Sequence, residues 1–245
     1  MPGSQITPPL HTPTPIKAYE PLWGVWYVED LIGQGSFGKV YKICRRNFAD
    51  SDVTEFGKAH YSAVKIISIP QDESEIQRLR LEGLGDASIR EFFHDVALKI
   101  VAEIDLMQEF RGNSNIVSFE DYQIIDRSKS DSPEQANHEP RTPELGWDIL
   151  IRMELLDSLP AHAAQNPLSV AEVIKLGVHI CKALELCALK NIIHRDIKPE
   201  NIFVSPYGEY KLGDFGVARQ IEQTMSGLSK IRYLHDYGAG GLQGG

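Results

Sequence analysis

His194-Arg195-Asp196-Ile197-Lys198-Pro199-Glu200-Asn201 is a loop sequence that sets a carboxylate, an ammonium and a carboxamide within six positions of one another. Asp196 can accept the proton of a substrate hydroxyl, or orient that hydroxyl, where a phosphoryl group is transferred. Lys198 can neutralise charge developing on that group. Asn201 offers an amide oxygen to a metal ion. Asp214-Phe215-Gly216 follows, with Asp214 eighteen positions after Asp196. Its carboxylate suits Mg2+, a hard cation that takes oxygen ligands and bridges phosphates. His194 has the chemistry of a general base. Behind the apolar pair Ile192-Ile193 it reads instead as a packing and hydrogen-bonding support for the loop.

Three features upstream fit the same chemistry. Gly33-Gln34-Gly35-Ser36-Phe37-Gly38-Lys39-Val40 lets a backbone fold closely over phosphates, where a Cβ would obstruct it. A dinucleotide site would need a helix straight after the last glycine. Val40-Tyr41-Lys42-Ile43 continues as strand, so the competing reading is an ordinary glycine-rich hairpin turn. Ala63-Val64-Lys65 lies on the next strand, over 61–69. With apolar residues on both sides, Lys65 is either edge-exposed or buried with a partner. Residues 86–110 read as a helix with Ile89, Phe93, Val96, Ile100, Ile104 and Met107 at helical spacing. Ser88 and Glu91 form a capping-box signature at its start. Glu103 sits on the inward stripe and needs a partner, because an unpaired buried charge is costly. Asp105 and Glu109 are its competitors, off the stripe.

Around these features the chain divides by composition. Residues 1–22 hold six of the fourteen prolines and read as a disordered or extended leader. Residues 44–60 and 127–146 are polar connections, with strands expected at 116–125 and 147–154. Ser169 and Glu172 form a second capping box. It opens a helix with Val170, Val173, Ile174, Gly177, Cys181, Leu184 and Ala188 on one face, ended by Asn191. Cys44, Cys181 and Cys187 are odd in number and lack a C-x-x-C pair, so no disulfide framework or zinc site is indicated. Cys181 and Cys187 are expected as small buried hydrophobes, in keeping with a reducing cytoplasm. A net charge of −9 argues against nucleic-acid or anionic-membrane binding, and no run of 18 apolar residues exists to span a bilayer.

Taken in order, these residues make the chain resemble the eukaryotic-type Ser/Thr protein kinases, and more narrowly the bacterial members of that type, from about Trp26 to about Lys230. The resemblance implies an α+β, bilobal fold: a β-rich N-lobe with its αC helix over 23–156 including the hinge, then a mainly helical C-lobe over 157–231. It implies ATP and Mg2+ as cofactors and Ser/Thr hydroxyls of proteins as acceptors. Asp196, Lys198, Lys65 and Glu103 would be catalytic, with Lys65 paired to Glu103 and aimed at the α- and β-phosphates. Ile32, Gly33, Gln34, Gly35, Ser36, Phe37, Gly38, Lys39, Val40, Ala63, Lys65, Met153, Glu154 and Leu156 would surround the nucleotide. Met153 would guard the back of the adenine pocket, and the backbone of Glu154 to Leu156 would bond adenine. Asn201 and Asp214 would hold the metal. Lys198 is the Ser/Thr rather than the tyrosine pattern. Arg195 resembles the residue that pairs with an activation-loop phosphate, for which Thr224, Ser226 and Ser229 are available.

The family pattern continues past the activation loop with Ala-Pro-Glu, which is missing after Asp214. Residues 232–245 are instead glycine-rich. Permitted codons for that tail, read one base on, encode an Ala-Pro-Glu segment in the right place. A frameshift near Ile231 and an incomplete C-lobe are therefore expected. Apolar burial contributes ~25 cal/mol per Å², so losing several hundred Å² would remove much of a stability of about 5–15 kcal/mol. The alternatives to an active kinase are a non-catalytic ATP-binding module and a non-functional truncation product. Against the module, Lys65, Asp196 and Asp214 are all present.

Overall fold

The computed structural model describes residues 16–35, 38–46, 60–129 and 145–215. Ser36, Phe37, Gly216, the three candidate phosphosites, residues 1–15 of the leader and the 232–245 tail lie outside them. The described residues form two compact units. One draws on the chain up to Phe93 and on Tyr122–Ile151. The other draws on His94–Asp121 and the chain from Arg152 onward.

The first unit is built on a sheet of order β1-β2-β3-β5-β4. Its strands are β1 (Trp26–Gly35), β2 (Gly38–Arg45), β3 (His60–Ile69), β4 (Phe119–Asp126) and β5 (Trp147–Met153). β1 and β2 form the expected hairpin, closing at the Gly35↔Gly38 pair. β2 then pairs antiparallel with β3, setting Val40 opposite Lys65. β3 is central and flanked by two strands, so its β-branched residues bury on both faces; Val64 and Ile67 are wholly inaccessible. Residues 16–22 belong to this core and not to a leader. A 3-10 turn at Ile16–Tyr19 buries Ile16 and precedes a buried Leu22, and both pack with Trp26, Val28 and Leu150. The Tyr19 hydroxyl donates to Asp148 at 2.5 Å, and Glu20 accepts from the Val28 amide at 2.6 Å. The second bond occupies an amide of edge strand β1 that would otherwise be open to another chain.

Helix α1 (Glu73–Leu81) has no counterpart in the sequence reading. Asp72 caps it, its oxygen accepting from Ser74 N at 2.8 Å, and only Ile76 and Leu79 are buried. Helix α2 (Asp86–Gln108) carries the expected stripe, with Ile89, Phe93, Val96, Ile100 and Ile104 buried. It starts two residues before the expected cap. Ile89 N already donates to the Gly85 carbonyl at 3.0 Å, which places Ser88 inside the first turn. Asp86, ion-paired with Arg80 at 3.0 Å, supplies the acid at the N-terminus. Arg90 ties the helix start to the first unit, reaching Asp126 at 2.6 Å with its guanidinium 4.7 Å from the Trp147 ring.

The second unit contains α3 (Leu159–Gln165), α4 (Val170–Leu189) and a small sheet of order β6-β7-β8, comprising Asp157–Ser158, Ile202–Val204 and Tyr210–Leu212. The Ser169/Glu172 capping box forms in both directions. The buried face of α4 is not the expected one. Ile180, Ala183 and Cys187 are buried, while Val170, Val173, Ile174 and Val178 are exposed, and so is Cys181. α4 is apolar on two sides, so periodicity alone cannot choose between them. β8 chooses: the Tyr210 amide donates to His179 Nδ1 at 3.1 Å, and the core forms on that side with Leu159, Ile202 and Leu212. Ile116, expected in a strand, makes only an isolated bridge to Leu212. Among the described residues no helix is long and apolar enough to cross a membrane.

Candidate active site

The loop from His194 to Asn201 leaves α4 through Asn191 and runs into β7 (Ile202–Val204). Arg195 and Asp214 have φ of 64° and 55°. These left-handed conformations are costly for non-glycine residues and persist only where surrounding contacts fix them.

His194 is buried, with Nε2 2.9 Å from the Gly213 carbonyl, and the Asp196 amide donates to Nδ1 at 3.4 Å. Nδ1 must therefore be the bare nitrogen, and Nε2–H donates to Gly213. Burial holds the His194 pKa below the ordinary histidine value, which keeps the ring in this neutral form. His194 brackets the loop to the residue before Asp214, as its setting in the sequence implied. Phe215 lies 4.8 Å from the His194 ring and stacks on Phe110 at 5.2 Å.

Asp196 Oδ2 accepts from Lys198 Nζ at 2.9 Å and from Asn201 Nδ2 at 3.0 Å. Asn201 Nδ2 also donates to the Asp196 carbonyl at 2.8 Å. The same carboxylate holds the exposed Lys198 ammonium above its ordinary pKa. Because the Asn201 nitrogen faces two acceptors, its Oδ1 is the end left for a cation. Asn201 itself is buried and fixed by its backbone, its carbonyl accepting from Gly213 N at 2.9 Å. That bond ties Asn201 to the approach to Asp214. Gly213 permits the approach, since a Cβ there would sit 2.7 Å from a Val117 methyl and 2.8 Å from the Phe203 ring.

Glu103 lies on α2 between the buried Ile100 and Ile104. Burial pushes its carboxyl up to about 7, with the charge of Arg195 acting to lower it. The competing acids are accounted for on the surface: Asp105 accepts from Gln108, and Glu109 pairs with Lys190 at 2.6 Å. Glu103 is therefore the acid of this stretch whose ionisation burial opposes. Met153 ends β5, and Glu154 to Leu156 follow outside any strand. The Glu154 amide donates to the Ser118 carbonyl at 3.1 Å, so it is not available to a ligand.

In the first unit, Lys65 is buried on β3 beside the buried Ala63. Gly38 has φ 147°, and a Cβ there would come within 2.1 Å of the Ile66 carbonyl. Gly38 is thus required by the fold itself. At Gly35 a Cβ would meet nothing within 4 Å, and at Gly33 only Val40 at 3.7 Å. Ile32, Gln34 and Gly35 are exposed, with Lys39 and Val40 partly so.

Asn201 and Asp214 offer oxygen alone, which fits Mg2+ in chemical type. Among the described residues no group of three or more His, Cys, Asp or Glu could hold a metal ion. Mg2+ tolerates that, because it retains waters and phosphate oxygens beside one or two protein ligands. Sequence reading missed Ser118 and Lys211, which hold Glu154. The signal for Lys211 was the one used for Lys65, a lysine within a buried strand.

A family model described as protein kinase domain matches residues 26–239. The chain is 40% identical over 78 residues to a Wee1-like protein kinase of Oryza sativa subsp. japonica, covering 32% of this chain and 15% of that protein. It is 39% identical over 77 residues to the probable serine/threonine-protein kinase PknB of Lactococcus lactis, covering 30% and 12%. It is 43% identical over 56 residues to cyclin-dependent kinase 20 of Homo sapiens, covering 23% and 16%. The matched stretches thus span under a fifth of these relatives' lengths. Among solved structures, Rad53 1-466 in complex with AMP-PNP is 19% identical, with a TM-score of 0.48 over 80% of this chain and 39% of that one.

Proposed function

From the chain's membership of the protein kinase domain family, we propose that it transfers the γ-phosphoryl group of Mg·ATP to Ser or Thr hydroxyls of protein substrates. The observation that carries this reading is the Asp196 carboxylate held between Lys198 and Asn201. Asp196 orients the acceptor hydroxyl and takes its proton as that oxygen bonds to the γ-phosphorus. The bond from the γ-phosphorus to the β–γ bridging oxygen breaks, and ADP leaves. Lys198, already drawn to the site by Asp196, offsets charge on the transferring group. Asn201 Oδ1 and Asp214 would hold the metal, which would supply positive charge to offset that of the phosphates.

Lys65 and the Gly33–Gly38 loop act on the phosphates. The spare room at Gly33 and Gly35 supports this role. The fold does not need glycine there, whereas a closely approaching phosphate would. Nucleic acid is not a partner on this reading, in keeping with the net charge of −9. The free thiols of Cys44, Cys181 and Cys187 suit a reducing cytoplasm.

The test is transfer of γ-labelled phosphate to a generic basic protein, with nucleotide affinity measured alongside. Asp196→Ala is expected to abolish transfer while ATP still binds. Transfer that survives this substitution would overturn the assignment of Asp196. Binding without transfer in the unaltered chain would make it a non-catalytic ATP-binding module.

A further inference from the structure

Lys211 is a buried lysine on β8 whose ammonium reaches both oxygens of Glu154, at 2.7 and 3.0 Å. Glu154 Oε1 also accepts from the Ser118 amide at 2.5 Å, and the Glu154 amide donates back to the Ser118 carbonyl at 3.1 Å. The first residue after β5 is thus gripped three ways: by its backbone amide, by its carboxylate on Ser118, and by its carboxylate on Lys211. A peptide unit is planar, so the bond made by the Glu154 amide fixes the direction of the Met153 carbonyl, and with the Glu154 side chain also held, the direction in which the chain leaves its Cα toward Leu155 and Leu156 is restricted. β8 is itself anchored. Leu212 exchanges backbone bonds of 2.9 Å with Asn115 and Val117, and Gly213 donates to Asn201.

We propose that Lys211 is a positioning residue for nucleotide recognition: by holding Glu154 against Ser118 it sets the segment Glu154 to Leu156 for adenine. This rests on the kinase reading of that segment. It goes beyond that reading by assigning adenine affinity to a side chain that touches no nucleotide. With Lys211 gone, the Glu154 carboxylate would lose its counter-charge while half-buried and would turn toward water, taking its peptide with it. The contribution belongs to the base and not to the phosphates.

Calorimetric titration of the whole chain with Mg·ADP, adenosine and tripolyphosphate separates the two. Lys211→Met is expected to weaken adenosine and ADP about tenfold and to leave tripolyphosphate within about twofold. Lys211→Arg, which keeps the charge, should recover most of the loss. Where Lys211→Met does not fold, Glu154→Gln decides. It retains an acceptor for the Ser118 amide, removes the ion pair and should show the same selective loss. Unchanged adenosine affinity in a folded variant overturns the proposal. So does an equal loss for adenosine and tripolyphosphate, which is the mark of a purely structural pair. If the unaltered chain binds neither ADP nor tripolyphosphate, the kinase reading fails first and this inference falls with it.

Discussion

At the residue scale, Glu103 is a half-buried carboxyl whose ionisation weakens the fold holding it. Its carboxyl is pushed from 4.5 to about 7 by burial, so the folded state binds this proton more tightly than the unfolded chain does. The stabilising effect of that proton is fully present below pH 4.5 and is lost as pH rises through about 7. Glu103→Gln mimics the protonated form and does not titrate. Its melting temperature should therefore match that of the unaltered chain near pH 4.5 and exceed it increasingly up to about pH 7.5. A constant difference across that range would show that burial does not govern this group. The need for a partner was legible in the sequence, because Glu103 falls on the stripe of Ile100 and Ile104. The charge of Arg195 acting on it was not, because Arg195 lies more than ninety residues further along the chain.

At the scale of elements, local pattern carried far where one physical term dominated. The β1–β2 hairpin was legible from its glycine turn, β3 from its apolar, β-branched run, and the α2 stripe because helical spacing there coincides with burial. The cap at Ser169 was legible because a capping box is a local device. The cap at Ser88 misled for a tertiary reason. Gly85 and Asp86 start α2 earlier, and α1, anchored by only Ile76 and Leu79, supplies Arg80 to Asp86. The β1–β2 hairpin gives an element-scale prediction because its glycines divide into two kinds. Gly38 is fixed by φ 147° and by the Ile66 carbonyl, while Gly35 has open space. Gly38→Ala should destabilise the first unit by about 1–3 kcal/mol, the range for forced overpacking. Gly35→Ala should leave the melting temperature within about a degree, being free of any clash, yet weaken Mg·ATP binding. Equal thermal effects from the two substitutions would remove the steric support for a phosphate-approach role at Gly35.

At the scale of the whole molecule, the least legible feature was which side of α4 would be inside. Val170, Val173, Ile174, Gly177 and Cys181 share a face in sequence, and so do Leu176, Ile180, Ala183 and Cys187. Both satisfy helical spacing, and the choice came from His179 meeting the Tyr210 amide. The described structure therefore leaves one apolar face of α4 in water, with Val170 79% and Ile174 63% exposed. Exposed apolar residues that are contiguous along one helix face promote association between copies in a way that scattered ones do not. Replacing Val173 and Ile174 together by Glu and Lys removes that face without touching the buried side. The double variant should show lower dye binding to exposed apolar surface and a higher soluble yield, with a melting temperature within a few degrees of the original. Surface changes away from packed features usually shift stability by no more than about 0.5 kcal/mol. A large fall in melting temperature would mean that this face is buried in solution and that α4 packs on both sides. In that event Cys181 should also resist thiol labelling under native conditions, which gives an independent check from the same face.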